Sequence, residues 1–164
     1  MKKPRKETDP SATYHKSTGR FGAVEAMVTE ILARIEPGSY AEMVEAFRDE
    51  WKPEGVEVRI IEVMAEAACR MRGCAYLETE ILNRSMEACT GPGVTPDRAL
   101  TEAYIRDFDG PQLLDKVSRY RAMLSTMFSR CSRSLMARAE NRRRAEERVN
   151  ATLVRTKPCT SVIQ

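Results

Sequence analysis

Hydrophobic and polar positions along the chain follow the period of amphipathic α-helices. Between the Gly110-Pro111 break and about residue 150 the chain contains no glycine or proline, so one long helix is predicted there. Its apolar positions step by four or three residues, which keeps one stripe turned toward a partner helix. This stripe, called the seam below, consists of Leu113, Val117, Tyr120, Leu124, Met127, Cys131 and Leu135.

The same spacing predicts two helices near the start of the chain. The first runs from about 21 to 35 and stops at Pro37-Gly38, because proline and glycine do not continue a helix. The second begins at Ser39, where Glu42 three residues later is typical of a capping box that satisfies free backbone N–H groups. Its buried side is expected to carry Met43, Val44, Phe47 and Trp51.

A third, long helix and a short fourth one are predicted before the Gly110 break. The third has Pro53 in its first turn and runs to about Ala88, and Gly73 within it marks a bend or a close helix contact. Thr95 as the N-cap and Pro96 in the first turn indicate where the fourth helix begins. The inward face of the fourth helix is expected to consist of Ala99, Leu100, Ala103, Tyr104 and Phe108.

Composition agrees with an all-α fold. Aromatic residues make up only 6% of the 164 residues and apolar residues 42%, which favours a helical core over a sheet. Two long helices joined through a compact connection most simply pair antiparallel. We predict a single helical bundle domain over residues 21–157, with two or three shorter helices, a disordered basic tail over 1–20 and a flexible tail over 158–164.

Charge is strongly segregated along the chain despite a net charge of only +3. Residues 1–20 hold six basic and two acidic side chains, and residues 115–157 hold twelve basic and four acidic ones, whereas acidic residues dominate the remainder. This arrangement permits attraction of an external polyanion, or attraction between parts of the same protein or its copies.

The end of the long helix carries the densest group of basic side chains. Such guanidinium groups bind phosphates and release their counterions, so we consider a nucleic-acid-binding site here. Glu140, Glu146 and Glu147 lie three or four residues from several of them, and a solvated, internally paired helix surface explains the same sequence. The candidate nucleic-acid-binding residues are Arg138, Arg142, Arg143, Arg144 and Arg148.

Several other classes of site are disfavoured by the sequence. The five cysteines are scattered and the single histidine, His15, is remote from them, so neither a metal site nor a cofactor is predicted. Reduced thiols favour a cytoplasmic location, and no apolar run is long enough for a membrane span. Asp107, Asp109 and Asp115 are better explained by helix-start chemistry than by catalysis, so no enzyme activity and no small-molecule substrate are predicted.

Short motifs occur through most of the chain: Lys16-Ser17-Thr18-Gly19, Glu50-Trp51-Lys52-Pro53-Glu54-Gly55, Ile61-Glu62, Arg70-Met71-Arg72 and Arg119-Tyr120. With these motifs the chain resembles a widespread group of small bacterial proteins that begin with a basic tail. The group tends to have proline after Lys-Ser-Thr-Gly, where this chain has Arg20, and a tryptophan where it has Cys69. The resemblance implies a bacterial helical protein and assigns no catalytic residue.

These observations lead to one functional hypothesis and one alternative. The hypothesis is a non-enzymatic module that self-associates as a homo-oligomer through its seam and engages a polyanion, DNA or RNA, with its basic ends. The alternative is a protein–protein assembly or adaptor module without nucleic-acid binding. The predicted self-association residues are Leu113, Val117, Tyr120, Leu124, Met127 and Leu135.

Overall fold

The computed structural model describes residues 20–156, with side chains to residue 152, and within that range it contains helices and no strand. The all-α class predicted from the periodicity is therefore confirmed. The predicted tails lie outside the described residues, apart from Arg20. The helices are α1 (Gly22–Ile35), α2 (Ser39–Trp51), α3 (Glu57–Cys89), α4 (Pro96–Asp109) and α5 (Leu113–Thr156).

The two long helices, α3 and α5, pack against each other in antiparallel orientation, as predicted. Arg121 in the first part of α5 lies 3.1 Å from Glu78 in the second half of α3, and Arg142 pairs with Glu57 at the start of α3. Because α5 has 44 residues and α3 has 33, α5 continues past this level. Its last fourteen residues, 143–156, extend about 20 Å beyond Arg142 at 1.5 Å per residue.

One part of the core lies where α1 packs on both long helices. Val28 of α1, Cys74 of α3 and Leu124 of α5 are all almost completely inaccessible to solvent and belong to one apolar cluster. Phe21, just before α1, packs against Tyr120 in a tilted arrangement, with 5.5 Å between the ring centroids. The seam of α5 is thus covered by α1 as well as by α3.

A second part of the core lies near the other end of α3. Ile61 and Met64 of α3 and Leu135 of α5 are buried together. Phe47 and Trp51 of α2 pack over them, which agrees with the predicted buried side of that helix. Trp51, the last residue of α2, therefore packs α2 against the part of the core that the beginning of α3 forms with α5.

Gly73 lies at a close contact between α3 and α1. A Cβ at this position would lie 2.8 Å from Cγ1 of Val28 and 2.8 Å from Cγ of Leu32, both on α1. The missing side chain therefore lets α1 approach α3 more closely than any other residue would allow.

The fourth helix packs on α3 through small side chains. Ala99 and Ala103 are buried, and these two alanines allow close approach of the helix backbones. Leu100, Tyr104 and Phe108 were expected to face inward as well, and this is wrong, since all three are exposed. The narrow buried stripe of α4 leaves its large apolar residues in solvent.

Two predicted helix starts differ from the structure, and one agrees. Gly38 occupies the N-cap of α2 with a left-handed φ of 92°, so no side-chain cap forms and the expected Ser39 capping box is absent. Pro53 lies before α3, because Gly55 with a φ of 54° turns the chain before the helix begins at Glu57. Thr95, as predicted, caps α4, and its Oγ1 accepts a hydrogen bond from the Arg98 N–H at 3.4 Å.

Candidate functional site

The seam of α5 lies inside the protomer. Four of its predicted self-association residues, Val117, Tyr120, Leu124 and Leu135, are no more than 2% exposed. Leu113 and Met127 are half-buried against the same cluster. The expectation that this stripe is a surface for a second copy is corrected accordingly, because α1, α2 and α3 of the same chain already cover it.

An ion cluster fixes the middle of the seam to its neighbours. Arg70 of α3 donates a hydrogen bond to the Tyr120 hydroxyl at 3.0 Å and pairs with Glu66 at 2.7 Å and with Glu25 of α1. Burial raises the pKa of Tyr120, and its hydroxyl remains the neutral acceptor of this bond. The cluster belongs to the folded core and joins α1, α3 and α5.

Arg142 is also a structural residue. Its guanidinium donates to the carboxylate of Glu57, whose side chain is only 6% exposed. Burial raises the pKa of Glu57, but the hydrogen bonds from Arg142 and from the Glu54 N–H outweigh it and hold the pKa below its usual value. A group used in this way is not free for a phosphate.

Arg143 and Arg144 are paired with acidic residues on the surface of α5 itself. Both donate to Glu140, with N···O distances of 3.0 and 2.9 Å, and these hydrogen bonds lower the pKa of the Glu140 carboxyl. Arg143 also lies 3.8 Å from Glu147. The internally paired surface considered above therefore describes these two arginines, although exposed pairs of this kind contribute little stability.

Arg138 and Arg148 are exposed, and neither makes an ion pair within 4 Å in the part of the chain that the structure describes. The charge of Arg138 still reaches Glu57 and contributes to its lowered pKa. Arg148 lies on the segment of α5 that extends beyond the level of α3. The five predicted arginines therefore differ in their surroundings and do not form a single site. Arg142 pairs with a buried carboxylate, Arg143 and Arg144 pair with Glu140, and Arg138 and Arg148 are exposed without an ion pair among the described residues.

Two arginines that sequence reasoning missed extend the exposed basic surface toward the middle of α5. Arg130 and Arg133 are exposed, and Arg133 donates only to the backbone carbonyl of Ser129, at 3.2 Å. The signal was the spacing, because Arg130, Arg133, Arg144 and Arg148, with Ala137 and Asn141 at the two positions between them, step by three and four residues opposite the buried stripe. We call Arg130, Arg133, Arg144 and Arg148 the outer arginine face.

The outer arginine face is directed away from the core. At 100° per residue its members lie roughly 140° to 180° around the helix axis from Leu135 and roughly 120° to 180° from Leu124, and both leucines are buried. Arg130 and Arg148 are about 27 Å apart along the axis. Between positions 130 and 148 α5 carries seven arginines and three acidic residues, Glu140, Glu146 and Glu147, so positive charge predominates along this length.

A second exposed feature is apolar and lies on α4. Leu100, Tyr104, Ile105 and Phe108 are 36%, 51%, 55% and 74% exposed. The last three, with Leu114 at the start of α5, form the apolar half of the lining of an open groove of about 620 Å³, and the other half is polar or charged: Asp107, Gln112, Asp115 and Arg119. We call these four α4 residues the α4 patch.

Asp107, beside this groove, has a structural role that agrees with the helix-start chemistry expected for it. Its two carboxylate oxygens accept hydrogen bonds from the N–H groups of Leu113 and Leu114, at 2.9 and 3.1 Å. It thereby caps α5, whose first N–H groups have no partner inside the helix. Among residues 20–156 no group of three or more histidine, cysteine or acidic side chains is placed to hold a metal ion.

Comparison with known proteins gives no family for the chain: no family model, no curated protein and no solved structure matches it. Within the described range, none of the helices has the length and hydrophobicity needed to cross a membrane. The candidate surfaces are therefore assigned from the geometry and chemistry of their residues.

Proposed function

We propose that the chain is a non-enzymatic helical module that binds the phosphate backbone of nucleic acid along the outer arginine face of α5. The observation that carries this proposal is the row of exposed guanidinium groups at Arg130, Arg133, Arg144 and Arg148 on the side of α5 turned away from the core. Its length of about 27 Å corresponds to roughly 8 base pairs of duplex, or 16 phosphates counting both strands.

The rigidity of this row favours binding. Arg130 and Arg133 lie where α5 packs against α3, and Arg144 and Arg148 continue on the same unbroken helix, so the helix sets their mutual spacing before a ligand arrives and less conformational entropy is lost on association. The Arg144–Glu140 pair does not prevent it, because exposed ion pairs are weak and a phosphate replaces the carboxylate at little cost. Guanidinium groups also match phosphate geometry through paired N–H donors.

A binding role is also supported by the ionisable groups with shifted pKa values. Arginine or tyrosine partners hold Glu36, Glu57 and Glu140 in the ionised form, whereas a general acid at neutral pH needs a raised carboxyl pKa. Burial raises the pKa of Cys74 to about 12, which keeps the thiol protonated and unreactive. A cytoplasmic location is part of this proposal, since Cys69, Cys74, Cys89 and Cys131 are all unpaired.

Fluorescence anisotropy with a labelled 24-base-pair DNA duplex and the corresponding RNA duplex tests this function. If four arginines contact phosphates, the logarithm of the association constant falls with the logarithm of salt concentration with a slope of about −3.6, or roughly 100-fold between 50 and 200 mM salt. Arg130→Gln and Arg148→Gln should each reduce the slope by about 0.9.

Arg106→Gln is the matched control, because Arg106 is an exposed arginine on α4 and its removal changes the net charge equally. It should leave the slope unchanged. No binding of either duplex at 50 mM salt, or an equal loss with the control variant, would remove the outer arginine face as a nucleic-acid site.

The second candidate function is protein–protein assembly without nucleic-acid binding. The α4 patch favours it, since a cluster of large apolar side chains at one place on a surface is typical of an interaction site. Binding that survives high salt and depends on Phe108 would support this function in place of the first.

A further inference from the structure

We propose that the α4 patch is the interface of a twofold-symmetric homodimer, in which α4 of one copy packs antiparallel on α4 of the other. This goes beyond nucleic-acid binding, and it gives the assembly alternative a defined partner. The seam is buried within the protomer, so the exposed α4 patch takes its place as the proposed self-association surface.

The shape of the patch suits a copy of itself. A twofold interface uses the same surface of both copies, so every contact between two different residues occurs twice. A protruding side chain and the recess that receives it must therefore both lie on that one surface. Phe108, near the C-terminal end of α4, is 74% exposed and protrudes, whereas Leu100, nearer the other end, is 36% exposed and protrudes less. A twofold axis between Ala103 and Tyr104, near the middle of α4, places Phe108 of each copy at the level of residue 99 of the other, beside Leu100.

The charges beside the patch are also complementary to themselves. Arg98 and Asp109 are both exposed and lie eleven residues apart, which is close to three full turns, so they occupy the same side of α4 with Ile105 between them. When two such helices run antiparallel, Arg98 of each copy faces Asp109 of the other. A pairing of this kind forms two ion pairs, one at each end of the interface, and a parallel arrangement forms neither.

The apolar area indicates a reversible dimer. Taking about 200 Å² for each fully exposed side chain of this size, the four exposed fractions give roughly 430 Å² per copy, or roughly 860 Å² for the pair. This lies at the small end of specific interfaces, where association is weak or transient. We therefore expect monomer and dimer to exchange in the micromolar concentration range.

Sedimentation equilibrium of the full chain, without nucleic acid and over micromolar to submillimolar concentrations, tests the interface. The wild-type chain should fit a monomer–dimer equilibrium. Phe108→Glu and Ile105→Lys should each raise the dimer dissociation constant roughly 30-fold or more, because a charge is then placed in an apolar contact that occurs twice. Met136→Glu on α5 is the matched control, since Met136 is 56% exposed and far from α4 in sequence, and it should have no effect.

A charge exchange separates pairing with a second copy from pairing with any other protein. Arg98→Glu and Asp109→Arg should each weaken the dimer several-fold, and the double variant should restore it, because the two positions then face each other with reversed charge. A wild-type chain that stays monomeric, a dimer that Phe108→Glu does not weaken, or a double variant that is weaker than both single variants would overturn the proposal. Loss of DNA binding on Arg148→Gln, with an unchanged dissociation constant, would separate this test from that of the nucleic-acid site.

Discussion

Arg142 and Glu57 are 85 positions apart in sequence and form an ion pair where the start of α3 meets the last third of α5. The Glu57 carboxylate also accepts a hydrogen bond from the Glu54 N–H, at 3.2 Å, just before α3 begins. The same carboxylate therefore stabilises the turn into α3 and fixes the level at which α5 passes it. Beyond this level α5 continues without α3 beside it.

Removing the arginine should leave an almost buried carboxylate without its main partner. We expect Arg142→Gln to lower the free energy of unfolding by about 2–3 kcal/mol, because hydrogen bonds to buried charged groups are among the most costly to break. Urea unfolding followed by circular dichroism measures this value. Arg143→Gln, which removes an exposed pair with Glu140, should cost less than about 1 kcal/mol and is the control. Equal losses in the two variants would contradict the structural role of Arg142.

The same pair should give stability a specific pH dependence. The pKa of Glu57 is lower in the folded chain than its usual value of 4.5, so the folded state keeps the carboxylate ionised at a pH where the unfolded chain binds a proton. This contribution is fully present above about pH 4.5 and is lost as the pH falls through the folded-state pKa. The difference in unfolding free energy between wild type and Glu57→Gln should therefore be constant near neutral pH and shrink on acidification below pH 4.5. A difference that grows on acidification would contradict a lowered pKa of Glu57 in the folded chain.

Gly73→Ala should destabilise the chain, although alanine is the better helix former by about 1 kcal/mol. The added Cβ would lie 2.8 Å from side-chain atoms of Val28 and Leu32, so α1 must move away from α3. We expect a net loss of about 1–3 kcal/mol, typical of an overfilled core. In the background of Leu32→Ala, which removes one of the two clashing side chains, the penalty should decrease, and thermal unfolding of all four combinations measures this coupling. Additive effects would contradict a direct clash.

The long helices and their antiparallel order could be predicted from the sequence, because apolar positions that repeat every three or four residues fix one side of a helix. The same pattern does not specify what covers that side. Tyr120 and Leu124 read equally well as a dimer seam and as part of the protomer's own core, and the structure shows the second arrangement. Periodicity gives the direction of a side chain around its own helix, whereas the identity of its neighbour depends on the packing of all five helices.

The arginines show a similar limit. Pairs within one helix, such as Arg144 with Glu140, follow from spacing alone and were foreseen as an alternative to phosphate binding. The pair of Arg142 with Glu57 depends on the register of α5 against α3, which no local pattern encodes. The inward face of α4 was mispredicted for a related reason. Ala99 and Ala103 were small enough to settle against α3, and this rotation left Phe108 in solvent.

Asp107 offers a test of how α5 begins. Its carboxylate accepts from the N–H groups of Leu113 and Leu114, and a negative charge near a helix N-terminus also interacts favourably with the helix dipole. Asp107→Ala should therefore lower the free energy of unfolding by about 1–2 kcal/mol, and Asp107→Asn, which keeps one acceptor oxygen, should lose less.

Amide hydrogen exchange distinguishes loss of this cap from a general loss of stability. In Asp107→Ala the amides of Leu113 and Leu114 should exchange faster than the global change in stability accounts for, because their hydrogen-bond acceptors are gone. Glu102→Ala, at an exposed position on the same helix, should stay within about 0.5 kcal/mol of wild type and leave both amides unchanged. Unaltered exchange at Leu113 and Leu114 in Asp107→Ala would show that another group caps α5.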